Sequence, residues 1–321
     1  MADRMKPIVT LTVNPAIDAS CVTDEVVPMR KVRTRDERYD PGGGGLNVAR
    51  AIRELGGEAV AFYVAGGITG QALEDLIEHS GIAAVRVPIG GLTRVSHTVY
   101  ETSTGHEYRF TPEGPEITET EWHNCLEVLS IVDGDWFVAS GSLARGLPAD
   151  FYARVARLVK ARGGRVVLDS SGAALHHALK EGVYLVKPSR RELEHLLGRK
   201  ATTPADEEAL AREVVDSGRA EIVALTLGAE GAVLATRDLT LRLASPPIEA
   251  RSAVGAGDSF IGGMVWALAS GHPLGEAFAY GVAAGAAAAM TPGTELCRRT
   301  DILPLFERLR GQLPSVAATS P

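Results

Sequence analysis

FYARVARLVKARGGRVVLDSSGAALHHALKEGVYLVKP, residues 151–188, holds two structural periods in one run. Phe151, Val155, Leu158 and Val159 recur at i, i+4, i+7 and i+8, with Arg154, Arg157 and Lys160 on the other side, the apolar stripe of an amphipathic helix. Val166-Val167-Leu168 and Val183-Tyr184-Leu185-Val186 are continuous apolar runs without alternation, the pattern of strands buried on both faces. Ile222-Val223-Ala224-Leu225 repeats the strand signal, and Leu73, Leu76 and Ile77 mark another helix. Helices alternating with such strands predict an α/β fold with a mainly parallel sheet flanked by helices.

Two stretches break this rhythm. In residues 17–40, Ile17, Ala19 and Cys21 alternate with Asp18 and Ser20, and Lys31, Arg33 and Arg35 alternate with Val32 and Thr34. Residues 94–111 predict a hairpin, with a turn at Thr102-Ser103-Thr104-Gly105 and with Tyr108 and Phe110 alternating with Glu107 and Arg109. Both excursions predict strands of a small β-sheet that acts as a lid over the strand ends. The expected organisation is a core of residues 1–16, 41–93 and 112–310, a lid of 17–40 and 94–111, and a flexible tail from 311 to 321. The apolar lid face of Ile17, Ala19 and Cys21 needs cover, which predicts a two-fold homodimer through the lid.

Working outward to the whole chain, 321 residues suggest two domains, or one large domain with an appendage. The 45% hydrophobic and 23% charged residues exclude a disordered chain. A net charge of −7 and 5% aromatics argue against a nucleic-acid partner. Cys21, Cys125 and Cys297 form no CxxC pair and no metal spacing, so buried reduced thiols in a cytoplasmic protein are expected. The opening MADRMKPIVTLTVNP has no signal-peptide core, and the apolar stretch Ala277–Met290 falls short of the roughly 20 residues of a membrane span. A tightly packed internal helix is the expectation there, with no membrane partner.

Two glycine clusters carry the chemistry. Pro41-Gly42-Gly43-Gly44-Gly45-Leu46-Asn47 runs straight into a helical stretch, Val48 to Leu55. A loop stripped of side chains lets backbone approach a ligand at a helix N-terminus; the alternative is a flexible loop. Ala253-Val254-Gly255-Ala256-Gly257-Asp258-Ser259-Phe260 enters a second helix, Ile261 to Ala269. Its backbone N–H groups would form an anion hole for a transferred phosphoryl group, and Asp258 can take a proton from a substrate hydroxyl. The plainer alternative is an N-capping Asp after a glycine turn. Neither cluster completes GxxxxGK[ST] or GxGxxG, so dinucleotide binding has little support.

Taken together with Thr10–Asp18, Ala65-Gly66-Gly67, Ser140-Gly141-Ser142-Leu143, Asp169-Ser170-Ser171-Gly172, Val186-Lys187-Pro188, Leu227-Gly228 with Gly231, and Gly293–Cys297, these clusters resemble the phosphofructokinase B family of the ribokinase-like carbohydrate kinases over about residues 7 to 310. The four glycines before Leu46-Asn47 and the Asp169–Gly172 run look closest to the family's minor bacterial 6-phosphofructokinase branch. The resemblance implies ATP-dependent phosphorylation of fructose 6-phosphate to fructose 1,6-bisphosphate, with Asp258 as general base and Gly255, Ala256 and Gly257 around the γ-phosphoryl group. It implies Asp18, Gly43, Asn47 and Ser142 at the sugar, and Lys31, Arg33 and Arg94 at its existing phosphate. Lys187, Thr226, Gly228 and Gly231 would line the ATP site, and the cofactor would be MgATP with Glu192 holding Mg²⁺ through water. A potassium site from carbonyls at Ser252, Val254, Ala288 and Gly293 belongs to the same expectation.

Three positions depart from the family pattern. Ser189 stands where an asparagine is common, which predicts altered Mg²⁺ affinity; Ala253 lacks a common threonine hydroxyl; Ala144-Arg145 replace a common Pro-Pro, which bears on sugar-phosphate preference. Thr291 and Glu295 also differ around the potassium position. The rival readings are a tagatose-6-phosphate or fructose-1-phosphate kinase of the same family, and a non-catalytic sugar-phosphate-binding regulatory protein.

Overall fold

The apolar run Ile8–Thr12 forms β1, buried along its whole length. The chain leaves it for two lid strands, β2 (Ala16–Thr23) and β3 (Arg35–Gly42), and returns through α1 (Gly44–Glu54). β4 (Ala59–Ala65), α2 (Gly67–His79) and β5 (Ala83–Pro88) complete one wing of the main sheet. A second excursion makes the hairpin β6 (Arg94–Glu101) and β7 (Glu107–Phe110). The chain then alternates through α3 (Glu119–Ile131), β8 (Trp136–Ser140), α4 (Phe151–Lys160), β9 (Arg165–Asp169), α5 (Gly172–Glu181) and β10 (Val183–Val186). After α6 (Arg190–Leu197), α7 (Pro204–Asp216) and β11 (Ala220–Thr226) come two short strands, β12 (Ala232–Ala235) and β13 (Thr240–Leu243). Three helices close the chain: α8 (Ala256–Ala269), α9 (Leu274–Ala289) and α10 (Arg299–Arg310). These elements come from a computed structural model that describes residues 6–314.

The nine strands of the main sheet lie in the order β13-β12-β11-β10-β9-β8-β1-β4-β5. All neighbours from β11 to β5 pair in parallel; β12 alone runs the other way, antiparallel to both β11 and β13. From β1 the chain first builds outward through β4 and β5, then crosses back to β8 and builds the other way. That reversal leaves a crevice at the carboxyl ends of β1 and β8, the usual place for a ligand in an open α/β sheet. The architecture is the expected one, a mainly parallel sheet between helices with a small second sheet beside it.

Apolar side chains of α3, α4, α5 and α7 pack one face of the sheet, and those of α1, α8, α9 and α10 pack the other. The alanine-rich stretch at 277–290 is the buried α9, laid against α8. A β-carbon at Gly263 would stand 2.7 Å from the Tyr280 carbonyl and 2.8 Å from the Ala284 methyl, so glycine sets this close approach. Among the described residues no helix is long and apolar enough to cross a membrane. Gly311–Leu313 stay hydrogen-bonded to the end of α10, and Leu313 packs beside the core; residues 315–321 of the expected tail lie outside the described residues.

The lid is a four-stranded sheet, β3-β2-β6-β7. The alternation expected at Lys31–Arg35 is not a strand: 31–34 are an exposed loop, and β3 begins only at Arg35. A bulge follows, with Asp36 in the left-handed region at φ 55° and the register shifting opposite Ser20–Val22. The alternation across the bulge therefore does not carry through. The lid's apolar face also differs from expectation. Ile17 and Ala19 are buried within the single chain, Ile17 against Leu46 and Ala49. Register places Tyr39, His97 and Phe110 on that same face, and all three stand exposed, with Cys21 half-buried.

Candidate active site

Helix α8 begins on Gly255, a left-handed cap with φ 69° and no side-chain cap bond. A β-carbon there would also meet the Leu296 side chain at 2.2 Å. The first intrahelical donor after this cap is Ser259 to the Gly255 carbonyl, so the N–H groups of Ala256, Gly257 and Asp258 face forward without an intrahelical acceptor. The helix starts at Ala256, five residues earlier than the apolar run suggests, which puts Asp258 inside the first turn.

Asp258 meets two other elements at the crevice. Its Oδ2 accepts a hydrogen bond from Asn47 Nδ2 at 3.0 Å, and its Oδ1 accepts one from Ser140 Oγ at 3.4 Å. Asn47 comes from the first turns of α1 and Ser140 from the end of β8. The carboxylate keeps an exposed edge, yet burial among these groups raises its pKa to about 6, reinforced by the Asp169 carboxylate and opposed by Asn47, Lys187 and Ser140. Such a group is mostly ionised at neutral pH and basic enough to accept a hydroxyl proton.

Lys187 completes the floor. Its Nζ lies 3.2 Å from Asp169 Oδ1 at the end of β9, and both side chains are largely buried. Burial favours the neutral amine, but the Asp169, Glu192 and Asp258 carboxylates outweigh it and keep Lys187 charged. A β-carbon on Gly257 would be 3.3 Å from this ammonium, so glycine brings the backbone N–H cluster and the cation to one place. Lys187 therefore stands at the anion hole rather than along the wall of the nucleotide cavity.

That cavity, of about 590 Å³, opens from Gly257 between β11, β12 and the 245–253 stretch on one side and α9 on the other. Thr226, Gly228 and Gly231 line it, as expected for a nucleotide, together with Ile248, Val282 and Ala286. Gly231 has φ 105°, and a β-carbon there would overlap the Leu243 carbonyl at 2.1 Å. Pro246, Pro247 and Phe260 add apolar wall suited to a flat base.

On the lid side, the four glycines at 42–45 are each required by protein contacts. A β-carbon on Gly42 would strike the Asp18 carboxyl at 2.2 Å, one on Gly44 the Ser140 hydroxyl at 2.2 Å, and one on Gly45 the Leu11 carbonyl at 2.5 Å, while Gly43 has φ 113°. The loop thus fits Asp18, β8 and β1 together. Burial raises the pKa of Asp18, with Arg94, Arg50 and Arg109 pulling the other way. The Arg94 guanidinium donates to the carbonyls of Asn14 (2.7 Å), Pro112 (2.8 Å) and Pro15 (3.4 Å), which fixes it close to Asp18 with N–H capacity to spare. Ser142 Oγ accepts from Asn14 Nδ2 at 3.4 Å.

Other expected residues lie apart. Lys31 and Arg33 sit on the exposed lid loop, and their side chains have no partner among the described residues. Glu192 forms a capping box with Ser189, taking the Ser189 N–H on Oε2 at 2.8 Å. Ser189 is thus a helix cap, a role sequence reading did not assign to it. The Ala288 carbonyl already accepts from Thr291 N and Oγ1, while Ser252 N donates to Ala289 O, so the 252–254 and 288–293 stretches do adjoin. Sequence reading also passed over Asn14, Ser140 and Asp169 as site members, although each lies in a quoted motif.

The profile of the pfkB family carbohydrate kinases matches residues 8–301. The chain belongs to this family. It is 43% identical over 308 residues to the ATP-dependent 6-phosphofructokinase isozyme 2 of Mycobacterium tuberculosis (strain ATCC 25618 / H37Rv), covering 95% of this chain and 91% of that one. The crystal structure of Escherichia coli phosphofructokinase-2 in complex with fructose-6-phosphate superposes with a TM-score of 0.90 at 36% identity, over 95% of this chain and all of that one. The same E. coli protein in complex with potassium gives 0.92 at 37% identity, with equal coverage. The protein is thus an ATP-dependent sugar kinase by family.

Proposed function

We propose that the protein transfers the γ-phosphoryl group of ATP to fructose 6-phosphate, giving fructose 1,6-bisphosphate. The observation that carries this is the meeting of Asp258, the forward-facing N–H groups of α8 and buried Lys187 at the mouth of a nucleotide-sized cavity. ATP lies along the cavity on Thr226, Gly228 and Gly231, with its terminal phosphate at Gly255, Ala256 and Gly257. The sugar lies across the crevice on Asp18, Gly43, Asn47 and Ser142. Arg94 meets its existing phosphate, and Lys31 and Arg33 approach from the lid loop. Asp258 takes the proton of the attacking hydroxyl, and the α8 N–H groups and Lys187 stabilise charge on the phosphoryl oxygens as it transfers.

Magnesium suits this site. Glu192 uses Oε2 in its cap and has no partner for Oε1 among the described residues, and its carboxylate bears on Lys187 beside the anion hole. Held there with ATP, Mg²⁺ would supply positive charge to offset that of the phosphates during transfer. For potassium, the carbonyls of Ser252, Val254 and Gly293 are the candidates; the Ala288 carbonyl, taken up by Thr291, fits less well. A reducing, cytoplasmic setting suits three unpaired cysteines. A homodimer through the exposed lid face of Tyr39 and Phe110 remains part of the reading, with Ile17 and Ala19 no longer its reason.

A substrate panel with MgATP tests the assignment. ADP release with fructose 6-phosphate is expected to exceed that with tagatose 6-phosphate, fructose 1-phosphate and fructose by at least about tenfold in kcat/KM. A higher value on any of the other three would replace the substrate. No ADP on any of them would favour the binding-protein reading.

A further inference from the structure

Asn47 faces Asp258 with an amide, and an amide has two ends. Its NH2 stabilises a carboxylate; its carbonyl, turned the same way, would repel one. Something must choose, and the choice is made one helical turn away. Arg50 Nη1 lies 3.4 Å from Asn47 Oδ1 and 3.3 Å from the Pro41 carbonyl. Residues three apart on a helix share a face, so 47 and 50 on α1 meet directly. With its carbonyl drawn to a guanidinium, Asn47 has its NH2 left for Asp258 at 3.0 Å.

Arg50 is itself held from the lid. Its Nη2 donates to Asp40 Oδ1 at 3.0 Å, and Asp40, on β3, is a buried carboxylate. Asp40 also takes Arg38 Nε on Oδ2 at 2.7 Å, Arg38 Nη2 on Oδ1 at 3.1 Å, and Thr294 Oγ1 on Oδ2 at 2.6 Å. One carboxylate thus joins the lid strand, helix α1 and the 294 loop. The charged or titratable groups facing Arg50 are Asp40, Asp18, Arg38 and Cys297. Those facing Asp258 are Asp169 and Lys187, with Asn47 and Ser140 as hydrogen-bond partners.

We propose that Arg50, clamped by Asp40 of the lid strand, is a positioning residue that holds the Asn47 amide with its NH2 toward Asp258. This rests on Asp258 being the base. It makes the base's proton affinity depend on a contact that reaches back into the lid.

The test is the pH dependence of kcat. Arg50→Lys keeps a cation beside Asp40 but replaces the fork by a compact ammonium poorly shaped to span Asp40 and the Asn47 carbonyl. The acid limb of kcat is expected to move up by about half a pH unit or more, because the carboxylate loses a stabilising N–H. In an Asn47→Ala background the same change is expected to move the limb no further, since the pair then has no amide to orient. Asp40→Asn, which loosens the clamp and leaves Arg50 in place, serves if Arg50→Lys is unfolded by circular dichroism, and a shift in the same direction is expected. A limb that stays in place in both folded variants overturns the proposal, as does an equal shift with and without Asn47. Asp258→Asn, run alongside, separates the two failures: if it stays active, the base assignment is wrong, and if it is inactive while the limb stays put, only the positioning role is wrong.

Discussion

Asp258 combines the two demands a base makes on its surroundings. It must be near enough to neutrality to accept a proton, and it must be ionised when substrate arrives; a pKa raised to about 6 by burial satisfies both at pH 7. The same shift has a cost in stability. The folded state holds the Asp258 proton up to about pH 6, whereas an unfolded carboxyl releases it near its ordinary value of 3.8. The group's contribution is therefore fully present below the lower value and is lost as pH rises through the higher one. Asp258→Asn removes that loss, so it is expected to be more stable than the parent at pH 7 by on the order of 1 kcal/mol, with the difference shrinking toward pH 4. Denaturant midpoints at the two pH values check this; a variant less stable at pH 7 than at pH 4, relative to the parent, has the wrong sign. Asp258 was legible as a residue because its glycines and helix are contiguous in sequence. Arg50 was not, because its importance lies in partners from the lid strand and its own helix face, which no single motif spells out.

Among elements, the helices announced themselves by period and the loops by glycine, but the purpose of the glycines differed from what spacing alone suggests. Glycines 42–45 admit neighbouring protein atoms, notably the Asp18 carboxyl and the Ser140 hydroxyl, as much as they admit ligand. The pairing of α8 with α9 was equally hidden: an alanine-rich run states that a helix is buried, not which glycine on another helix receives it. Gly263→Val places branched carbon where a β-carbon alone already comes within 2.7 Å of the Tyr280 carbonyl. Overpacking of this kind costs about 1–3 kcal/mol, so the midpoint of thermal unfolding is expected to fall. An unchanged midpoint would mean that α8 and α9 lie farther apart than described. The lid strand expected at Lys31–Arg35 failed because alternation alone does not make a strand: residues 31–34 pair with no neighbouring strand, and the ladder with β2 begins only at Arg35.

For the whole molecule, the order of strands explains why residues 14, 18, 47, 140, 169, 187 and 258 converge. The sheet reverses its direction of growth between β1 and β8, and every one of these positions lies at or just beyond a strand end, on the lid strand over the crevice, or in the first turns of a helix entering it. Parallel alternation was readable; the crossing order was not, because it depends on which apolar strands pair, and these runs are chemically alike. The lid's outer face is the remaining large-scale feature. Phe110→Glu on that face is expected to convert a dimer to monomers in light scattering at micromolar concentration, whereas a parent that is already monomeric there would remove the lid interface. The most direct measurement is single-turnover transfer of labelled γ-phosphate from MgATP to fructose 6-phosphate by the parent and by Asp258→Asn. A drop of at least about 100-fold in the transfer rate, with sugar-phosphate affinity kept within a few-fold, is the predicted result; transfer at an undiminished rate by Asp258→Asn would contradict it.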